Sequence, residues 1–173
     1  MDSWNKIFKP IVVLACICIV VTAALALTNK ATAPRIAELA EIAAAEAREE
    51  LMPGVSFSQV DCTAPNITAA YQSDDGSAIL TAVSKGYGGT FVTMVAFDGD
   101  GNIVRVKVQD HAETKGIGDK VEVESFWGQY SGLSTENHIT LDVEVDKVSG
   151  ATISSKAVNN GVNYAIDGFQ TLS

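Results

Sequence analysis

The chain opens on an unbroken apolar run. Ile11 to Leu27, IVVLACICIVVTAALAL, holds no charge and only Thr22 as a polar residue. At about 1.5 Å per residue such a helix spans roughly 26 Å, close to the hydrocarbon thickness of about 30 Å, so the run predicts a membrane span. The next stretch, TNKATAPRIAELAEIAAAEAREELMPG, has Pro34 near its start, acids and alanines throughout, and a stop at Pro53-Gly54. Ile36, Leu39, Ile42 and Ala47 recur at three-to-four spacing, which predicts a separate connecting helix over 28–54 packed on the domain after it. No heptad is sustained long enough for a coiled coil.

From Val55 the texture changes to short β-branched runs: Ile67 to Gln72, Ala78 to Val83, Thr90 to Asp98 and Ile103 to Gln109. Asp74-Asp75-Gly76 and Asp98-Gly99-Asp100-Gly101-Asn102 separate them as hairpin turns. The second resembles a calcium loop but lacks its remaining ligands and closing Glu, so it reads as a hairpin. Val104, Val106 and Val108 alternate with Arg105, Lys107 and Gln109, a strand with one dry face. Val121 to Tyr130 fits strand and short helix equally and predicts neither. Ile139, Leu141, Val143 and Val145 alternate with polar residues and predict a further half-buried strand. Ala157, Val158, Val162, Ala165 and Ile166 then predict a closing helix over Ile153 to Phe169. The expected fold is α+β: a cytoplasmic 1–10, a single transmembrane helix over 11–27, the connecting helix, and an exported domain over 55–173 with an antiparallel sheet and packed helices.

Composition and charge narrow this further. Of 173 residues 47% are hydrophobic, enough for one domain with a core. Lys6 and Lys9 flank the apolar run and keep the N-terminus cytoplasmic by the positive-inside rule, although Lys30 and Arg35 lie beyond its other end. A cleaved secretory signal is the rival, with Ala24 to Ala26 as its cleavage site, but the run is longer than the usual signal core. The net charge is −9, and −10 once Asp2, Lys6 and Lys9 are set aside, a balance that disfavours nucleic acid as a partner. Cys16 and Cys18 lie in the apolar run and leave Cys62 alone outside it, which excludes an internal disulfide or a cysteine-based metal site in the exported part. Cys62 reads as a small buried apolar residue.

The candidate chemistry lies in DKVSGATISSKAV, Asp146 to Val158, where Ser149, Thr152, Ser154 and Ser155 gather around Gly150 and Ala151 at the start of the last helix. A helix start exposes unpaired amides and the positive end of the dipole, and small residues let an anion such as phosphate approach. Capping by Ser149 or Thr152 alone explains the spacing as well. A serine-hydrolase turn is disfavoured, because no G-x-S-x-G is present and only His111 and His138 could serve as base.

The stretch Asp146 to Ser155 resembles the signature of the membrane-anchored flavin-binding domains of the Rnf complex G subunit and of the C subunit of the sodium-translocating NADH:quinone oxidoreductase. KGYGG (Lys85 to Gly89), HAETKGIGDK (His111 to Lys120), the anchor and the helix after it resemble the same family. Length favours the Rnf protein. The family reads E-T-P-G where this chain has Glu113-Thr114-Lys115-Gly116, so Lys115 removes a stiffening proline.

The resemblance implies FMN attached by a phosphoester to the Thr152 hydroxyl, placed there by a flavin transferase that uses FAD and magnesium. It implies Ser149, Gly150, Ala151 and Ser154 near the phosphate, and Glu113 and Thr114 as candidates at the flavin ring, Glu113 reading equally well as a solvated loop acid. His111 reads as a loop-stabilising residue and His138 as surface. Gly86, Gly88 and Gly89 mark a turn and carry no ligand role. The implied activity is non-catalytic electron relay in a membrane-bound, ion-translocating ferredoxin:NAD oxidoreductase. Its partners would be other membrane subunits in a bacterial or archaeal plasma membrane, with the flavin domain on the extracytoplasmic side. A quinone-reductase subunit, a redox sensor and a tethered non-redox scaffold are the alternatives.

Overall fold

The computed structural model describes residues 8–113 and 118–172, with backbone alone at 118 and 119. Thr114 and Lys115 therefore lie outside the described residues. The elements follow one another as α1 (Lys9–Leu51), β1 (Ser58–Val60), β2 (Ile67–Gln72), β3 (Ala78–Lys85), β4 (Thr90–Phe97), β5 (Ile103–His111), a 3-10 turn (Gly118–Glu122), α2 (Glu124–Trp127), a second 3-10 turn (Gly128–Tyr130) and α3 (Thr152–Leu172). The α+β class read from the sequence holds.

The two N-terminal helices expected from sequence are one. α1 runs without interruption through Pro34; a proline inside a helix forfeits one backbone bond, and the alanine- and glutamate-rich run after it is a strong helix former. The chain divides into two compact units between Ala44 and Ala45, and the end of α1 belongs to the second.

In that second unit the five strands form one antiparallel meander in the order β1-β2-β3-β4-β5. β1 is an addition to the strands legible in sequence; its three residues, Ser-Gln-Val, are too few to show a period. Alternation sends Leu80, Phe91, Val95, Phe97 and Val106 to one face, where they pack with Ala157, Val158, Val162, Ala165, Ile166 and Phe169 of α3. The Phe97 and Phe169 rings stack with centroids 4.8 Å apart. Ile79, Met94 and Ala96 face the other way and pack with Ala47 and Leu51 at the end of α1. The edge of that contact is polar: Arg105 donates to the Glu50 carbonyl at 3.0 Å, and Lys107 pairs with the Glu50 carboxylate. Cys62 is half-buried against the α3 side of the core, its sulfur 3.8 Å from the Gly168 carbonyl.

The segment from Ile139 to Val145 is a turn and not the predicted strand. Ile139 and Val145 are buried, Val143 is 74% exposed, and Asp142 takes a left-handed φ of 64°. Bonds within the segment close it, from Asp142 N to the Val145 carbonyl at 2.8 Å and from Glu144 N to the Thr140 carbonyl at 3.1 Å. The backbone of Ile139 is claimed by α3: its amide donates to Asn163 Oδ1 at 2.8 Å, and its carbonyl accepts from Asn159 Nδ2 and Asn163 Nδ2. With both groups taken by asparagines, no ladder can start there. Val121 to Tyr130, undecided by sequence, is a chain of short helical turns that buries Val121, Phe126 and Tyr130.

Candidate functional site

α3 starts at Thr152 on a chain reversal. Gly150 has φ +79°, the left-handed value a turn demands of its third residue, and the Ala151 amide donates back to the Val148 carbonyl at 3.0 Å. Ser155, fully buried one turn into the helix, ties the reversal down: its hydroxyl donates to the Ala151 carbonyl at 3.0 Å and accepts from the Val148 amide at 3.0 Å. The residue just before the helix is Ala151, which has no side-chain acceptor. Self-capping, the simpler explanation of the hydroxyl cluster, is therefore not what this position does, and the first-turn amides keep their capacity for an external acceptor.

A cavity of about 440 Å³ opens at this helix start, lined by Tyr87, Glu113, Gly150, Ala151, Thr152, Ile153 and Ser154. That size is within the usual roughly 300–1,000 Å³ of small-molecule sites. Thr152 is exposed and Ser154 buried at 2%. Thus Thr152, Gly150, Ala151, Ser154 and Glu113, chosen from sequence, meet at one opening. Ser149 is exposed and does not line it, and Thr114 falls outside the described residues.

Sequence reasoning misses Tyr87 and Ile153. Tyr87 sits in the glycine loop between β3 and β4 that reads as a plain turn, and its side chain is 78% exposed; an aromatic flanked by glycines, with nothing to pack on locally, is the available signal. The loop is pressed onto the end of β5. A Cβ on Gly88 would stand 2.6 Å from the Ala112 carbonyl oxygen, and one on Gly86 2.6 Å from the Phe91 ring. Glu113 explains how the loop is held, since its Oε1 accepts from the Tyr87 amide at 2.7 Å and the Gly88 amide at 3.1 Å. Lys120 brings positive charge to the other side, its Nζ lying 3.6 Å from where a Gly150 Cβ would be. Amides at a helix start and a nearby ammonium suit an anionic group such as a phosphate, and Tyr87 and Ile153 give the cavity apolar walls. His138, read as surface, is exposed and bonded to Asp167 at 2.7 Å.

The comparisons with known proteins agree with this chemistry. Residues 86–167, from the glycine loop to α3, match the family described as FMN-binding domain, a span that holds β4, β5, most of α3 and the residues lining the cavity. Residues 1–51 match the RnfG N-terminal region, so a match to that region and a match to an FMN-binding domain follow one another along the chain. It is 28% identical, over 99% of its own length and 95% of the relative's, to the G subunit of the Na(+)-translocating ferredoxin:NAD(+) oxidoreductase complex of Acetobacterium woodii. It is 29% identical to the G subunit of the ion-translocating oxidoreductase complex of Methanosarcina acetivorans, with 96% of each chain covered. Among solved structures, that of Shewanella oneidensis NqrC superimposes with a TM-score of 0.52 at 26% identity, covering 60% of this chain and 58% of that one.

Proposed function

We propose that this chain is the electron-carrying subunit of an ion-translocating ferredoxin:NAD oxidoreductase complex, with FMN held as a phosphoester of Thr152. The observation that carries the reading is the start of α3: an exposed hydroxyl on its first residue, beside amides with no side-chain cap, at the edge of a cavity large enough for a fused ring. Bound FMN would supply the redox chemistry, exchanging electrons at its ring system. Thr152 Oγ would form the bond to phosphorus as its proton leaves; with FAD as donor the pyrophosphate bond breaks and AMP departs. The Ile153 and Ser154 amides and the Lys120 ammonium would neutralise phosphate charge. Tyr87 and Ile153 would cover the ring, and Glu113 would fix the Tyr87 wall.

α1 is long and apolar enough to cross a membrane. In this reading Lys6 and Lys9 hold its start in the cytoplasm and the flavin domain lies outside, facing the other membrane subunits. A covalent link suits that location, because a carrier without access to a free flavin pool stays loaded only if the group cannot dissociate.

The test is coexpression of the full chain with a flavin transferase, followed by denaturing electrophoresis under ultraviolet light and intact-mass analysis. Wild type should fluoresce and gain the mass of an FMN ester, and Thr152→Ala should do neither. A fluorescent band in Thr152→Ala places the link elsewhere, and a wild-type chain of unmodified mass removes the proposal. Retention of Lys6 and Lys9 in the mature chain checks the anchor; a mature start near Thr28 would mean cleavage.

A further inference from the structure

His111, the last residue of β5, lies behind the cavity wall and touches neither Thr152 nor the opening. Its Nδ1 accepts the Glu113 amide at 3.1 Å, which requires that nitrogen to carry no proton. Its Nε2 stands 3.0 Å from Glu122 Oε1 in the first 3-10 turn and donates to it. The ring stacks on Phe91 of β4 with centroids 5.3 Å apart, and its side chain is 11% exposed. Glu113 in turn binds the Tyr87 and Gly88 amides. One continuous path therefore runs from Glu122 through the imidazole and the Glu113 main chain to the loop that walls the cavity.

We propose that His111 is a positioning residue: its neutral ring, protonated on Nε2, holds Glu113 and thereby the Tyr87 wall, and a second proton at Nδ1 releases them. The second proton turns the acceptor into a donor pointing at the donor Glu113 N–H, so the bond is lost. The carboxylates tied to the ring are Glu122 at Nε2 and Glu113 beyond the amide, Asp110 precedes it on its own strand, and β4 packs the Phe91 ring against it. The proposal deepens the flavin-site reading by adding a proton-linked control over the wall. It rests on that reading only for the identity of the occupant.

The test uses the full chain in detergent micelles, made without a transferase so that no cofactor is attached. Exchange of the Tyr87 and Gly88 amides is followed by NMR between about pH 8 and pH 5, the range in which histidine switches, with intrinsic rates divided out. Wild type should lose about tenfold in protection on the acid side, the scale of one hydrogen bond. His111→Asn puts Oδ1 where Nδ1 was and should stay protected throughout. His111→Gln reaches Glu122 but removes the acceptor and should be weakly protected at every pH. Glu122→Ala, which leaves the Nε2 proton without its acceptor, should weaken protection of both amides at the alkaline end. The proposal is overturned if wild type and His111→Asn share one pH profile, if His111→Gln is protected like wild type, or, should neither His111 variant fold, if Glu122→Ala is protected like wild type at the alkaline end. An unmodified mass on coexpression would sink the flavin ester without touching these amide profiles.

Discussion

Two hairpin connections on the same sheet are both glycine-rich and solve their backbones in opposite ways. Between β4 and β5, Asp98-Gly99-Asp100-Gly101-Asn102 holds amides from within: Asp98 Oδ1 accepts from the Asp100 amide at 3.1 Å and the Asn102 amide at 2.8 Å. Between β3 and β4, Gly86-Tyr87-Gly88-Gly89 has no acceptor side chain of its own for those amides and takes the Glu113 carboxylate from beyond β5. The first loop holds its own amides and offers its Gly101 carbonyl to Thr135, whose amide and hydroxyl donate to it at 3.0 and 2.8 Å. The second exists in its observed shape only while a residue of the cavity holds it, so any change at Glu113 reaches the cavity wall.

The contrast is sharpest at the glycines pressed against carbonyls, Gly88 on Ala112 (2.6 Å to an added Cβ) and Gly99 on Asp75 (2.5 Å). Gly88→Ala and Gly99→Ala should each cost about 1–3 kcal/mol, the usual scale of overpacking, as read from denaturant midpoints. Only Gly88→Ala should also reduce FMN loading at a fixed transferase level; equal loading in both variants would break the distinction. Next in size, Glu113→Ala and Asp98→Ala should each lose about 1 kcal/mol, the net worth of the bonds removed, and again only the first should alter flavin fluorescence.

A smaller effect is expected in acid. Partial burial pushes the Asp98 carboxyl up, but the Asn102 backbone and side chain and the Asp100 and Gly101 amides together hold it below its ordinary value. A carboxyl with a lowered folded pKa contributes stability above its unfolded value and loses it as pH falls through the folded one. Stability from this turn should therefore be constant above about pH 5 and decline below about pH 4, and Asp98→Asn should flatten the decline measured by denaturant titration. The smallest effect is at Tyr87. Because Glu113 holds its main chain while its side chain is largely exposed, Tyr87→Phe should shift stability by no more than about 0.5 kcal/mol; a larger loss in thermal denaturation would mean that the hydroxyl is engaged.

The same contrast explains what can be read from sequence alone. The Asp98 turn is legible because its chemistry is local: acceptor and amides share five residues. The β2 to β5 strands are legible for the same reason, each being a short β-branched run bounded by local turn residues, with Val104, Val106 and Val108 of β5 also alternating. What fails to show is nonlocal. Ile139 to Val145 alternates like a strand, yet Asn159 and Asn163, some 20 residues on, occupy the Ile139 backbone and make it a turn. The glycine loop looks like punctuation because the carboxylate that gives it a role is 25 residues away. At the candidate site the cluster of small residues is visible, but the division of labour within it is not, since only the packed helix separates Ser155, spent on the turn, from Thr152, left at the surface.

That division has a consequence for regiochemistry. Of the neighbouring hydroxyls on Ser149, Thr152, Ser154 and Ser155, folding buries Ser155 in the interior and Ser154 in the cavity wall, and of the two left exposed only Thr152 borders the cavity. An enzyme that esterified an alcohol here, as proposed above, would meet a choice already made by tertiary structure, whereas on an unfolded chain the serines would compete. Under that proposal, folding before modification is the order that would yield a single product.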